Sequence, residues 1–255
     1  MKELRIRCSA LGKIMTAPKS KNESLSVTTK NYIQDLFLER EYGIRKEFWS
    51  RYTDKGIAVE KDSIRLANEV LDWKLTDDYI DFGGQEYFSN EWIHGQTDVC
   101  TDWILADVKS CWSGTTYPWF NPADEDDIKS QMKVINKDYF YQMQGYMWLT
   151  GHDTCHLAYT LVNTPEQMIL DEIRREHWKQ DSFWQGDENQ EIVEFVRTKH
   201  TFNHIPKERR VTNFVIHKDE QAIENMKAKV LEVREYYETL KTAENNLYKQ
   251  TINQK

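Results

Sequence analysis

Long hydrophobic runs are missing from this 255-residue chain. No window approaches the roughly 18 apolar residues of a bilayer-spanning helix, so no membrane span is expected. The first stretch, MKELRIRCSALGKIM, has no long apolar core and no small-residue cleavage site, so no secretory signal is expected either. Cysteine is scarce: only Cys8, Cys100, Cys111 and Cys155 occur. None forms a CxxC pair and no histidine stands beside them at metal-finger spacing, so free thiols in a reducing compartment are expected. No glycine-rich loop can cradle phosphates, which leaves nothing to imply a nucleotide hydrolase. Neither an internal repeat nor a Pro/Gly/Ser-rich linker is present, so one domain should span 1–255. Positive charge is also short, with 34 Lys and Arg against 42 Asp and Glu, a net charge of −8. That balance argues against a chain that coats nucleic acid nonspecifically. It leaves room for a carboxylate-rich metal site, where bound cations neutralise the excess.

What is present is ample core material, with 39% hydrophobic and 13% aromatic residues. Charge is uneven. The first 21 residues carry Lys2, Arg5, Arg7, Lys13, Lys19 and Lys21 against Glu3 alone, a local +5. A short helix is expected over 9–15, ending before Pro18, then a polar loop over 18–27. Helical spacing follows over 28–42 (Tyr32, Ile33, Leu36, Phe37, Tyr42) and over 55–71 (Ile57, Ile64, Ala67, Val70, Leu71). Residues 79–112 turn strand-like and read as a meander near 79–82 or 86–89, 91–100 and 103–112. Gly83-Gly84 and Thr101-Asp102 mark its turns. A loop over 113–130 contains Pro118, Pro122 and the acidic run 124–127. A helix over 137–149 stops at Gly151. Strands at 156–163 and 210–218 flank an irregular helical stretch, 166–204. The last helix, 219–240, aligns Ala222, Ile223, Met226, Val230, Val233, Tyr237 and Leu240 on one side. That face suits core packing or a subunit contact. The tail beyond about 245 should fray. The order predicts an α/β (α+β) fold: a central mixed β-sheet flanked by helices.

Chemistry concentrates in ILADVKSCW, residues 104–112. Strand alternation puts Asp107 and Lys109 on one face and Val108 on the other. A hairpin about Thr101-Asp102 would bring Asp98 opposite Asp107. Two carboxylates and a lysine would then share a face, where like charges repel and burial is costly. A divalent cation removes the conflict, and Mg²⁺ suits one or two protein carboxylates with water in the remaining positions. The carbonyl of Val108 could add a ligand. Lys109 could orient or deprotonate a metal-bound water, or stabilise charge on a phosphate. The competing reading is a surface hairpin whose Asp and Lys face solvent. The acidic run 124–127 lacks the ligand spacing and glycine of a calcium loop and reads as an acidic turn. His94, His152 and His156 read as surface or core histidines.

The segments GQTDVC, ADVKS and YQMQGYMW, in this order, resemble the PD-(D/E)XK nuclease superfamily, and within it the phage lambda exonuclease and YqaJ-type viral recombinase nucleases. The matching positions are Asp98, Asp107, Lys109, Gln142 and Tyr146. GIAVE resembles the family's GxxxE and supplies Gly56 and Glu60. RCSALGKIM resembles the segment that contacts a terminal 5′ phosphate, which implies Ser9 with Arg5, Arg7 or Lys2. Asp107 stands where the phage exonuclease has Glu. The resemblance covers about 1–165, with a closing strand and helix at 210–240 and a helical elaboration at 166–209.

By that resemblance the fold is a restriction-endonuclease-like core and the activity a Mg²⁺-dependent 5′-to-3′ exonuclease on linear double-stranded DNA, with Mn²⁺ substituting. Asp98, Asp107 and the Val108 carbonyl hold metal, with Glu60 assisting. Lys109 works on the attacking water, which Gln142 and Tyr146 position. The implied setting is phage-type recombination beside a single-strand annealing protein, in the cytoplasm of a bacterial or phage-infected cell. The implied assembly is a homotrimeric ring. An endonuclease of the same fold remains open. So does a noncatalytic DNA-binding or partner-recruiting module, against which the intact Asp98, Asp107 and Lys109 count.

Overall fold

The computed structural model describes residues 4–46, 50–83, 85–120, 135–179 and 189–253, with side chains to residue 246. Lys2, Gly84, Pro122 and the acidic run 124–127 lie outside the described residues.

The chain opens with β1 (Ile6–Arg7), a 3₁₀ turn (Cys8–Ala10) and α1 (Leu11–Ile14). Helix α2 (Val27–Tyr42) starts at Ser26, whose hydroxyl accepts the Thr29 N–H, and ends at Gly43 with φ +68°. The helix expected over 55–71 is two helices, α3 (Arg51–Ala58) and α4 (Glu60–Leu71), broken at Val59. The break reorients the first part. Ile57, expected on the apolar side, is 70% exposed, while Lys55 is fully buried. Residues 79–83 form a single π-helical turn, so the first strand of the meander is β2 (Glu86–Ser89).

The strand expected over 91–100 divides at Asp98 into β3 (Ile93–Thr97) and β4 (Val99–Cys100). The mixed sheet accordingly comes as two mixed sheets. One has the order β1-β3-β2. The other is β4-β5-β6-β7, with β5 at Leu105–Ser110, β6 at Thr154–Thr160 and β7 at Val211–His217. Strands β5 and β6 run parallel with Asp107 beside Leu157 and Lys109 beside Tyr159, and β4 and β7 are antiparallel to their neighbours. Strand β6 ends at Thr160, three residues short of the apolar run that suggested 163.

Between β5 and β6 lies α5 (Lys137–Thr150). It is capped by Asn136, whose side chain accepts the Asp138 N–H, and by Gly151 at φ +82°. Its run from Gln142 to Met147 is buried without a break, so the helix is enclosed on several sides. Helices α6 (Glu166–Lys179) and α7 (Gln190–His200) pack around Ile169, Ile173, Ile192 and Val196, a core of their own. Helix α8 (Glu220–Asn253) runs past the expected end near 240 and through the tail expected to fray. Its stripe from Ala222 to Tyr237 is spent on the core, beside Ile33, Phe37 and Met143, which resolves the choice between core packing and a subunit contact for those residues.

Two apolar cores sandwich the second sheet. Leu105 faces the one built with α1, α2, α5 and α8, while Ala106 and Val108 face the one built with α4. The period-two alternation of β5 therefore turns Asp107 and Lys109 toward α5. Among the described residues no helix is long and apolar enough to cross a membrane.

Candidate active site

Strand β5 brings Lys109 Nζ to 2.6 Å from Asp107 Oδ2, with Asp107 only 1% exposed. From α5, one turn apart, come Gln142 and Tyr146. Gln142 Nε2 donates to Asp107 Oδ1 at 3.2 Å and to the Tyr146 hydroxyl at 2.8 Å. The ring of Tyr139 lies 4.8 Å from Lys109 Nζ and adds a cation–π contact.

Asp98 explains the break between the sheets. The β4–β5 ladder is paired at Val99↔Ala106 and goes no further. One step on, Asp98 Oδ2 accepts the Val108 N–H at 2.7 Å, so a carboxylate replaces the carbonyl of a neighbouring strand. The N–H and C=O of one strand residue share an edge, so the Val108 carbonyl is directed to the Asp98 side. Burial, then the charge of Asp107, pushes the Asp98 carboxyl up to about 8. Burial also works against the Lys109 ammonium, but Asp107 and Asp98 outweigh it and hold its pKa above the usual lysine range. Lys109 is thus a cationic donor in this arrangement. Burial and the nearby Asp107 raise the Tyr146 hydroxyl too, which keeps it protonated.

Glu60 begins α4, where the helix dipole favours a negative charge. Gln85 Nε2 donates to Glu60 Oε1 at 2.5 Å, and Gln96 Nε2 donates to Gln85 Oε1 at 2.9 Å. Glu60 and Asp98 line one pocket of about 280 Å³ with Phe82 and Gln85. The charge of Glu60 adds to the upward push on Asp98.

This donor set fits a hard cation. Asp107 Oδ2 touches the Lys109 ammonium but accepts no well-directed hydrogen bond, although it is buried. Asp98 and Asp107 offer only oxygen to a shared region, as Mg²⁺ or Mn²⁺ prefers. Among the described residues no three His, Cys, Asp or Glu side chains already stand together at metal-holding spacing. The aspartate pair is the nucleus of the site, and Glu60 is held by Gln85 across the pocket.

The N-terminal residues gather elsewhere. Arg5 donates to Ser89 Oγ at 3.3 Å and Arg7 to Glu39 Oε1 at 2.9 Å. Both face His94, whose pKa is lowered first by burial and then by their charge. Ser9 is exposed on the turn between β1 and α1. That turn reaches the site through Cys8. A Cβ on Gly95 would stand 2.9 Å from both Cys8 Sγ and Tyr146 Cε1, so only glycine admits this approach. The partners of Arg5 and Arg7 are thus Ser89 and Glu39 rather than Asp98 or Asp107. His152 bonds Thr150 and the Thr101 carbonyl, and His156 bonds Asn213, so both serve the fold.

Sequence reasoning missed Lys55, Gln85, Gln96 and Tyr139. Lys55 Nζ donates to the carbonyls of Cys111 at 2.6 Å and Trp112 at 3.1 Å, just beyond Lys109, and so fixes the exit of β5. Burial pushes its pKa down to about 8. His200 Nδ1 shares the Trp112 carbonyl at 3.1 Å. The available signal was a lysine one turn before Val59, itself buried. For Gln85 and Gln96 no signal existed, because their contact depends on the β2–β3 register.

No family model matches the chain, and no curated protein matches it. Solved structures do. A phage-related exonuclease from Haemophilus somnus 129PT aligns with 94% of this chain and 96% of its own, at 26% identity and a TM-score of 0.69. An alkaline exonuclease from Laribacter hongkongensis aligns with 95% of this chain and 94% of its own, at 15% identity and a TM-score of 0.54. The same enzyme in complex with dAMP aligns over the same shares, at 15% identity and a TM-score of 0.51. The PD-(D/E)XK nuclease resemblance read from the sequence therefore extends to the fold of nearly the whole chain.

Proposed function

We propose that the chain is a metal-dependent exodeoxyribonuclease that degrades linear double-stranded DNA from 5′ ends, using Mg²⁺ or Mn²⁺. The observation that carries this reading is the enclosure of Asp98 and Asp107 together around Val108, with Lys109 paired to one of them. Burial beside Asp107 makes Asp98 hold a proton, and a divalent cation would take that proton's place and let both carboxylates ionise. Bound there, the cation supplies charge neutralisation and an activated water. Lys109 donates to charge developing on the phosphate. Gln142 fixes the rotation of the Asp107 carboxylate and leans on Tyr146. Tyr146 stays a neutral phenol, so it does not compete for the cation. The exposed Ser9, near Arg5 and Arg7, is proposed to receive the 5′ phosphate. A ring of three copies and a single-strand annealing partner, implied by the resemblance, belong to the same proposal, and sedimentation of the purified protein tests the ring.

The test is digestion of a linear duplex, 5′-phosphorylated at one end and labelled at the other, with closed and nicked circles alongside. Wild type should remove the phosphorylated strand progressively in Mg²⁺ and spare closed circles. Lys109→Ala should be slower by about 100-fold or more, the size of effect expected for a lost transition-state donor. Cleavage of closed circles would replace the exonuclease reading by an endonuclease. No cleavage in either metal would leave a noncatalytic module.

A further inference from the structure

The pocket that holds Glu60 and Asp98 has an aromatic side chain at its rim with no structural work to do. Phe82 lines the pocket, yet it is 89% exposed. Its neighbours are tied down. Ile80 is buried. The Asp81 carbonyl accepts from Lys61 Nζ at 2.9 Å, and the Asp81 carboxylate pairs with Arg65. The Tyr79 hydroxyl donates to the Cys100 carbonyl at 2.9 Å and accepts the Cys100 N–H at 2.8 Å. The π-helical turn is thus braced through Tyr79, Ile80 and Asp81 and presents one unburied ring beside the carboxylates. A lone exposed phenylalanine is ordinary. One held on a braced turn at the mouth of the reaction pocket is placed to meet the substrate.

We propose that Phe82 is a stacking platform for a nucleobase of one of the two nucleotides flanking the cleaved bond. This rests on the nuclease reading and names a contact to the substrate. At about 280 Å³ the pocket falls just under the roughly 300–1,000 Å³ usual for small-molecule sites, so it accommodates part of a nucleotide rather than a duplex. The polar side chains around it are engaged already: Gln85 with Glu60 and Gln96, Lys61 and Arg65 with Asp81. The pocket therefore offers a face to stack on rather than hydrogen bonds that read base edges. Every base has a π-face, so recognition by Phe82 is indifferent to sequence.

The experiment measures stacking and cleavage separately. Duplexes carry 2-aminopurine at the terminal or the penultimate position of the attacked strand, and fluorescence is read in Ca²⁺ without turnover. Wild type and Phe82→Trp should quench one of the two probes, and Phe82→Ala should quench neither. In Mg²⁺, Phe82→Ala should lower kcat/KM by about 5- to 150-fold, the range of a lost base–aromatic stack. That loss should vanish on a duplex with an abasic residue at the quenched position, where wild type and Phe82→Ala should cut alike. Equal quenching by Phe82→Ala, no quenching by wild type, or the same loss on abasic DNA would overturn the proposal. Quenching by a wild type that never cleaves would overturn the nuclease reading and leave the stacking contact standing.

Discussion

Replacing Asp98 by Asn should make the metal-free protein more stable, and by an amount that grows with pH. The Asp98 carboxyl rises from 3.8 to about 8 because burial and then Asp107 oppose its charge. Between those values the folded chain keeps a proton that the unfolded chain releases, so stability falls as pH rises through the window. Each unit is worth about 1.4 kcal/mol, so the whole shift corresponds to about 6 kcal/mol. Asp98 is partly open to its pocket and Asp107 shares the repulsion, so about half, near 3 kcal/mol, is a fair expectation after screening. Asparagine keeps an oxygen for the Val108 N–H and removes the charge. For a chain of this size each kcal/mol moves Tm by about 2–4 °C, so the variant should melt about 6–12 °C higher. The assay is thermal melting in EDTA from about pH 4 to pH 9. The gain should be near zero at the acid end and fully present above pH 8. Mg²⁺ should stabilise wild type and not the variant, since binding to the folded form alone adds stability. A variant that melts at or below wild type at pH 9, or whose gain does not change with pH, would refute the reasoning.

Two further outcomes follow from groups outside the carboxylates. Burial, then the charge of Lys55, pushes His200 from 6.5 down to about 4. The unfolded chain takes up a proton first as pH falls through that window, so this group's stabilising effect is present above 6.5 and lost toward 4. His200→Gln should flatten the acid limb of urea-denaturation stability by up to about 3 kcal/mol. Glycine substitutions should separate two positions by sign. Gly95→Ala drives a methyl into Cys8 and Tyr146 and should destabilise by about 1–3 kcal/mol in urea melts. Gly56→Ala, in α3 with open space around it, should stabilise by about 0.5–1 kcal/mol. A destabilised Gly56→Ala would mean that this glycine is needed for packing after all.

The helix of 137–150 was legible, over 137–149, because its glycine stop, Gly151, acts locally. The strand of 105–110 was legible because alternation exposes Asp107 and Lys109 as charges among apolar neighbours. The break in 55–71 was not. Helical spacing continues through Val59, and only the fit of Lys55 under the end of β5 turns the first part away. Likewise nothing local marks Tyr79–Gly83 as a turn rather than a strand. Its shape is set by Tyr79 reaching Cys100 and Asp81 reaching Lys61 and Arg65.

By itself the sequence determined the candidate site residues and their order along the chain: Glu60, Asp98, Asp107, Lys109, Gln142 and Tyr146. Periodicity and caps are properties of neighbouring residues, and those are written in order. Tertiary structure alone decided that Asp98 ends one sheet and bonds the strand beside it. It also decided that Gln85 and Gln96 tie Glu60 into the pocket it shares with Asp98, and that Lys55 is buried while Phe82 is not. These are contacts between residues 10 to 57 positions apart. They exist only once the sheet register and the helix packing have brought those distant positions together.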